Sequence, residues 1–133
     1  MTQADKELLL KDLCARLPYG IKAKIKYYDG VWELLAIYTN GTTYATRDVG
    51  YPIETCFEEC KPYLFPLSSM TEEQKEKALS LLKNCDYYLI DGVIKWLDNC
   101  PIEFFDWCNK NHFDYRGLIP MGLANDATGL NIY

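Results

Sequence analysis

One run near the C-terminus concentrates the residues able to do chemistry: Phe104-Phe105-Asp106-Trp107-Cys108-Asn109-Lys110-Asn111-His112-Phe113-Asp114-Tyr115-Arg116-Gly117-Leu118-Ile119. Cys108 and His112 stand at i and i+4, the spacing that sets two side chains on one helix face, where a thiolate–imidazolium contact would make a nucleophile. Against that, a base that activates a thiol generally reaches it from a separate element, and no oxyanion-hole motif accompanies the pair. The alternative is a histidine in the last turn of a helix, facing the negative end of its dipole.

Asp114, Tyr115 and Arg116 follow directly. With His112 they could form a binding surface for a partner or an acidic ligand. The structural alternative has Asp114 turning the chain, Arg116 pairing with a carboxylate and Gly117 supplying a positive φ. A second candidate lies upstream. Lys22, Lys24 and Lys26 line one face of a predicted strand that ends in Tyr28, as in a single-strand nucleic-acid binder. Lysines on a solvated sheet face that discourage edge pairing are the other reading. Glu54, Glu58, Glu59, Asp91 and Asp98 fall in no metal-ligand spacing. There is no P-loop, no Gly-rich dinucleotide fingerprint and no Gly-x-Ser-x-Gly elbow, so no cofactor or metal is implied.

The elements that must position these residues can be read from periodicity. Residues 4–17 carry Leu9, Leu10, Leu13 and Leu17 at helical steps, with Thr2 or Asp5 as cap and Pro18 as stop. Ile21, Ala23, Ile25 and Tyr27 then alternate with Lys22, Lys24, Lys26 and Tyr28, the pattern of a half-buried strand. Asp29-Gly30 and Asn40-Gly41 read as type I′ hairpin turns, giving a three-strand meander through Val31–Tyr38 and Thr42–Thr46. Between Asp48 and Ser69, Pro52, Pro62 and Pro66 forbid a long helix. Extended pieces at Tyr51–Glu54 and Tyr63–Leu67 would return to the sheet and curl it toward a small barrel, while Glu54–Cys60 suits a single helical turn.

Thr71-Glu72-Glu73-Gln74 is a capping box that starts a helix running to about Lys83, broken at Asn84-Cys85-Asp86. Residues 87–98 are ambiguous, strand-like at Tyr87–Ile90 and helical at Val93–Leu97. Pro101 suits the first position of a helix reaching about Asn111, whose stripe is Phe104, Phe105, Trp107 and Cys108. From Leu118 to Tyr133 the chain reads as an extended strap. The expectation is an α+β fold in a single domain. Residues 1–69 would be a helix plus β-meander lobe, and 70–133 a helical C-terminal half with an extended tail.

Composition narrows the class. With 49% apolar and 25% charged residues the chain is a folding one. Eleven tyrosines and three tryptophans exceed the usual share, so many rings belong at the core edge or at an interface. The net charge of −5 is uneven: residues 1–50 carry seven Lys/Arg against six Asp/Glu, and 51–133 seven against thirteen. An acidic chain is repelled by phosphate backbones, which disfavours general nucleic-acid coating. The six cysteines are expected as core thiols in a reducing compartment, because Thr2–Glu7 is polar and no apolar signal segment follows. No apolar run is long enough to span a bilayer. The expected location is cytoplasmic.

Three blocks carry a family resemblance. Leu13-Cys14-Ala15-Arg16-Leu17-Pro18-Tyr19-Gly20, Lys61-Pro62-Tyr63-Leu64-Phe65-Pro66-Leu67-Ser68-Ser69-Met70-Thr71-Glu72-Glu73-Gln74 and Asn111-His112-Phe113-Asp114-Tyr115-Arg116-Gly117-Leu118-Ile119 resemble, in the same order, the signature blocks of a family of short proteins from gut Bacteroides genomes, prophages and mobile elements. That family commonly has arginine in the Pro-Tyr-Leu-x-Pro position, where this chain has Phe65. The resemblance implies no activity. It leads to the expectation of a prophage or mobile-element accessory protein that contacts an unknown protein partner. The alternative is a nucleic-acid-binding regulator using Lys22, Lys24 and Lys26, and an enzyme with a Cys/His site comes third.

Overall fold

The computed structural model describes residues 1–47, 50–83, 85, 87–96 and 100–133. Asp48, Asn84, Asp86, Leu97 and Asp98, which figure in the expectations above, lie outside the described residues. Helix α1 (Gln3–Arg16) starts on a capping box in which Thr2 and Asp5 satisfy each other's backbone N–H. Its buried side chains are Leu9, Asp12, Leu13 and Arg16. A charged pair therefore shares the apolar stripe. Pro18 and a left-handed Gly20 (φ 74°) end the helix in a 3₁₀ turn.

Four strands then run as an antiparallel meander: β1 (Lys22–Ile25), β2 (Trp32–Ile37), β3 (Thr42–Thr46) and β4 (Ile53–Cys56). Neither meander turn is the expected type I′, because only the glycines, and neither Asp29 nor Asn40, have positive φ. At the second turn Tyr38 O accepts from Gly41 N at 2.8 Å and Gly41 sits at φ 90°, a type I turn with a glycine bulge. At the first, β1 stops early. Ile25 O accepts from Tyr28 N at 3.1 Å across Lys26 and a left-handed Tyr27 (φ 70°), a type II turn with tyrosine in the glycine position.

A 3₁₀ turn (Phe57–Glu59) leads from β4 to β5 (Cys60–Leu64), which lies beside β1. Three residues span at most ~10 Å, so the sheet must curl to bring its β4 edge round toward β5. It does not close into a barrel. The order is β4-β3-β2-β1-β5-β8, open at both ends, with the two-residue β8 (Asn125–Asp126) added parallel to β5 from the C-terminal strap.

Helix α2 (Glu72–Leu81) starts on the Thr71/Gln74 capping box, with N–H to side-chain oxygen distances of 2.9 and 3.2 Å. Residues 87–96 resolve as a hairpin, β6 (Tyr87–Ile90) and β7 (Val93–Trp96). Asp91 (φ 51°) and Gly92 (φ 77°) make the true type I′ turn here, so the helical reading of Val93 onward is corrected: Asp-Gly chemistry wins over local helix propensity. Helix α3 (Ile102–Lys110) follows, with Pro101 as its N-cap and Phe104 and Cys108 buried.

The apolar interior has two parts. One joins Leu9 and Leu13 of α1 to Ile21, Ala23, Ile25, Trp32 and Leu34 of the sheet. The other joins Ala78, Leu82 and Ile94 to Phe104, Cys108 and Phe113. Among the described residues no helix is long and apolar enough to cross a membrane.

Candidate functional site

The C-terminal end of α3 is built as a Schellman motif. Phe113 N donates to Cys108 O at 2.9 Å and His112 N to Asn109 O at 3.2 Å, with His112 left-handed at φ 63°. The accompanying apolar contact is the stack of Phe113 on Trp107, centroids 5.4 Å apart. Glycine is the residue that takes this position without strain; a histidine there costs about 1 kcal/mol and must be held by its surroundings. Here the imidazole stacks on Tyr133 at 3.6 Å and 15°. The Tyr133 hydroxyl is fixed in turn by Tyr63 O (2.8 Å), to which it donates, and by Lys22 N (2.9 Å), from which it accepts.

His112 keeps 8% of its surface exposed. Burial first, then the charges of Arg16 and Lys22, push its pKa down to about 4, so the ring is neutral. Cys108 is fully buried, and burial pushes its thiol up to about 12 against a smaller opposing pull from Arg16. No hydrogen bond joins Cys108 to His112 among the described residues. The backbone reversal at His112 takes the imidazole off the helix face that the i, i+4 spacing implied.

Asp114 closes the next turn: its Oδ1 accepts from Leu118 N and its Oδ2 from Ile119 N, both at 2.8 Å. Flanking it, Phe65 N donates to His112 O and Asp114 N to Phe65 O, each at 2.8 Å. That pair of bonds ties the segment after β5 to the end of α3.

Arg116 does pair with a carboxylate, and the partner is Asp12 of α1. Asp12 Oδ1 accepts from Arg116 Nη1 at 2.8 Å, and Oδ2 from Arg16 Nε at 2.9 Å. Arg16 also donates through Nη2 to Phe113 O at 2.7 Å. Both guanidiniums lie over the Tyr115 ring, 5.4 and 4.6 Å from its centroid, and the Tyr115 hydroxyl donates to Asn109 at 3.0 Å. Asp12 and Arg16 are completely buried. Arg16 Nη1 and His112 Nδ1 are buried without a hydrogen-bond partner among the described residues.

His112, Asp114, Tyr115 and Arg116 are thus brought together, around Asp12 and Arg16. Sequence reasoning passed over those two, although their i, i+4 placement among Leu9 and Leu13 put them on the buried stripe. The lysines are elsewhere and not alike. Lys22 donates to Ile132 O at 2.5 Å and lies 5.8 Å from the Tyr133 centroid. Lys24 donates to Tyr28 O at 3.4 Å, and Lys26 lies 5.1 Å from the Tyr27 centroid. Lys24 and Lys26 share a cavity of about 410 Å³ with Glu58 and Glu59, which offsets their charge.

Another group of residues has the composition of a contact surface. The β1–β2 and β3–β4 connections lie at the same end of the meander, where Arg47 Nη1 donates to Asp29 O at 3.4 Å and its guanidinium covers Trp32 at 4.8 Å. Tyr28 packs edge-on against Trp32. Beyond this buttress Tyr27 is 84% exposed and Tyr51, just before β4, 91%. Comparison with family models, with curated proteins and with solved structures finds no match to this chain.

Replacing Asp12 by Ala should lower stability by about 3–5 kcal/mol, much of what a domain this size has, because it strands a wholly buried arginine. Chemical denaturation measures it; a loss below ~1 kcal/mol would contradict the description. The pH dependence follows from His112, whose pKa falls from 6.5 to about 4 on folding. Between those values the unfolded chain binds the extra proton, so stability present above pH 6.5 is lost as pH falls toward 4, by at most ~1.4 kcal/mol per pH unit. As the chain has one histidine, a single imidazole resonance reports it by NMR. The expected midpoint is near 4, and a midpoint near 6.5 would contradict burial of the ring.

Proposed function

We propose that this is a non-enzymatic, cytoplasmic accessory protein of prophage or mobile-element type, and that it acts through protein contacts made by the tyrosine-tipped end of the main sheet. The observation that carries the reading is Tyr27. It holds a left-handed conformation that glycine would take more cheaply, yet its ring is 84% exposed and, among the described residues, lies against the neighbouring Lys26. Strain retained at an exposed aromatic residue is difficult to assign to folding and fits display of the ring.

Tyr27, Tyr28 and Tyr51 offer flat, amphipathic area with little rotamer entropy to lose, and Arg47 braces the β1–β2 connection through Asp29 and Trp32. The partner that fits is a protein surface presenting carbonyl or carboxylate acceptors to the phenol hydroxyls. An enzymatic reading gains little support, since Cys108 is buried as a thiol and His112 neutral.

Tyr27→Gly separates folding from function. It should raise stability by about 0.5–1 kcal/mol by relieving the turn, and in combination with Tyr51→Ala it should abolish partner retention. A Tyr27→Gly protein that is less stable by ~1 kcal/mol would show that the ring serves the fold. Salt-sensitive binding of single-stranded nucleic acid that is lost on changing Lys24 and Lys26 to Glu would instead favour the regulator reading.

A further inference from the structure

Helix α2 is followed by Cys85, whose N–H donates to Leu82 O at 2.9 Å. Cys100 stands just before Pro101, the N-cap of α3. Fifteen positions separate the two in sequence, and the β6–β7 hairpin occupies most of that interval. Because a hairpin returns the chain to where it left, its two ends meet. The two sulfurs lie 3.3 Å apart, both half-buried. A disulfide needs about 2.05 Å, so the two sulfurs must approach by roughly 1.2 Å to bond.

We propose that Cys85 and Cys100 form a redox modification site: a dithiol that becomes an intramolecular disulfide and staples the neck of the β6–β7 hairpin. The oxidant is a low-molecular-weight disulfide such as oxidised glutathione. One cysteine thiolate attacks it, forming a mixed disulfide and releasing one small thiol. The other cysteine's thiolate then attacks the protein sulfur of that mixed disulfide, forming the Sγ–Sγ bond and releasing the second small thiol. The protein loses two electrons and two protons, and both appear in the two thiols released.

The remaining cysteines are poor competitors. Cys60 and Cys108 are buried with their thiols pushed up to about 12. Cys14 is on the surface of α1, and Cys56 offers its carbonyl, rather than its sulfur, to the Cys60 thiol at 3.6 Å.

The staple would act on a specific part of the surface. Ile90, Asp91, Val93 and Lys95 of the hairpin form one wall of a cleft of about 640 Å³, which residues 66–68 and residues of the turn from Asp114 to Pro120 also line. Ile94 is the hairpin's buried anchor, at 2% exposure. Oxidation closes a covalent loop around the hairpin and so reduces the ways in which that wall can open.

The test is to equilibrate the folded protein in glutathione buffers of graded redox ratio, block remaining thiols with iodoacetamide, and map peptides by mass spectrometry. Expected is a single two-electron transition in which free thiols, counted after unfolding in denaturant, fall from six to four and a Cys85–Cys100 linked peptide appears, reversible by dithiothreitol. The oxidised form should melt higher by roughly 5–10 °C. Cys100→Ser should leave Cys85 as a glutathione mixed disulfide with no protein crosslink. Failure of the linked peptide to form in the most oxidising buffer, glutathione mixed disulfides at both positions of the wild type, or crosslinks to another cysteine or another molecule would overturn the proposal.

Discussion

A single carboxylate, Asp12, accepts from two arginines that come from opposite ends of the chain, Arg16 and Arg116. Removing three charges from water is costly, and mutual attraction repays it only when geometry and further hydrogen bonds are good. Here Arg16 reaches on to Phe113 O, and Tyr115 lies against both guanidiniums. The cluster carries one more positive than negative charge, and that excess has a consequence next door. His112 is kept neutral first by burial, and the positive charge of Arg16 adds to that effect. The fold around the C-terminal run is therefore organised by electrostatics as well as by apolar burial.

Of the four left-handed residues that are not glycine among the described residues, His112 and Tyr27 mark opposite uses of strain. His112 is buried, and its conformation is enforced from every side by the Schellman bonds, the Tyr133 stack and the bridge to Phe65. Tyr27 has one turn hydrogen bond across it and a neighbouring lysine, and is otherwise in solvent. The first is a cost the interior absorbs to reverse the chain between α3 and the strap. The second has no such return within the fold, which directs attention to the outside surface.

Much of the architecture was legible because it is encoded locally. The capping box at Thr71, a cap at the start of α1, the stop at Pro18 and the alternation of β1 are interactions within a few residues, and they appear where the sequence places them. The errors also have physical causes. Asp29-Gly30 has the right chemistry for a type I′ turn, but a type II turn centred three residues earlier, on Lys26-Tyr27, pre-empts it, so the predicted alternation fails at Tyr27. Asp91-Gly92 makes that turn instead, in a stretch whose Val-Ile-Lys-Trp also satisfies a helix. The α3 terminus and its turn were visible in the Cys108–Gly117 run. What was not visible was its partner, since nothing local reveals that Arg116 would cross 104 positions to Asp12. The same holds for Cys85 and Cys100, joined by a hairpin that the periodicity left undecided.

The most direct measurement of whether the Asp12 cluster makes this segment a permanent seam is native-state hydrogen exchange. The amides of Phe65, Asp114, Leu118 and Ile119 donate across the seam or to the Asp114 carboxylate. If the cluster locks the segment, these four open only when the whole molecule unfolds, with opening free energies equal to the global value from denaturant. Exchange of the same amides through local openings ~2 kcal/mol or more below that value, while the β2 and β3 amides stay protected, would contradict it and make the Phe113–Ile119 turn a mobile surface element.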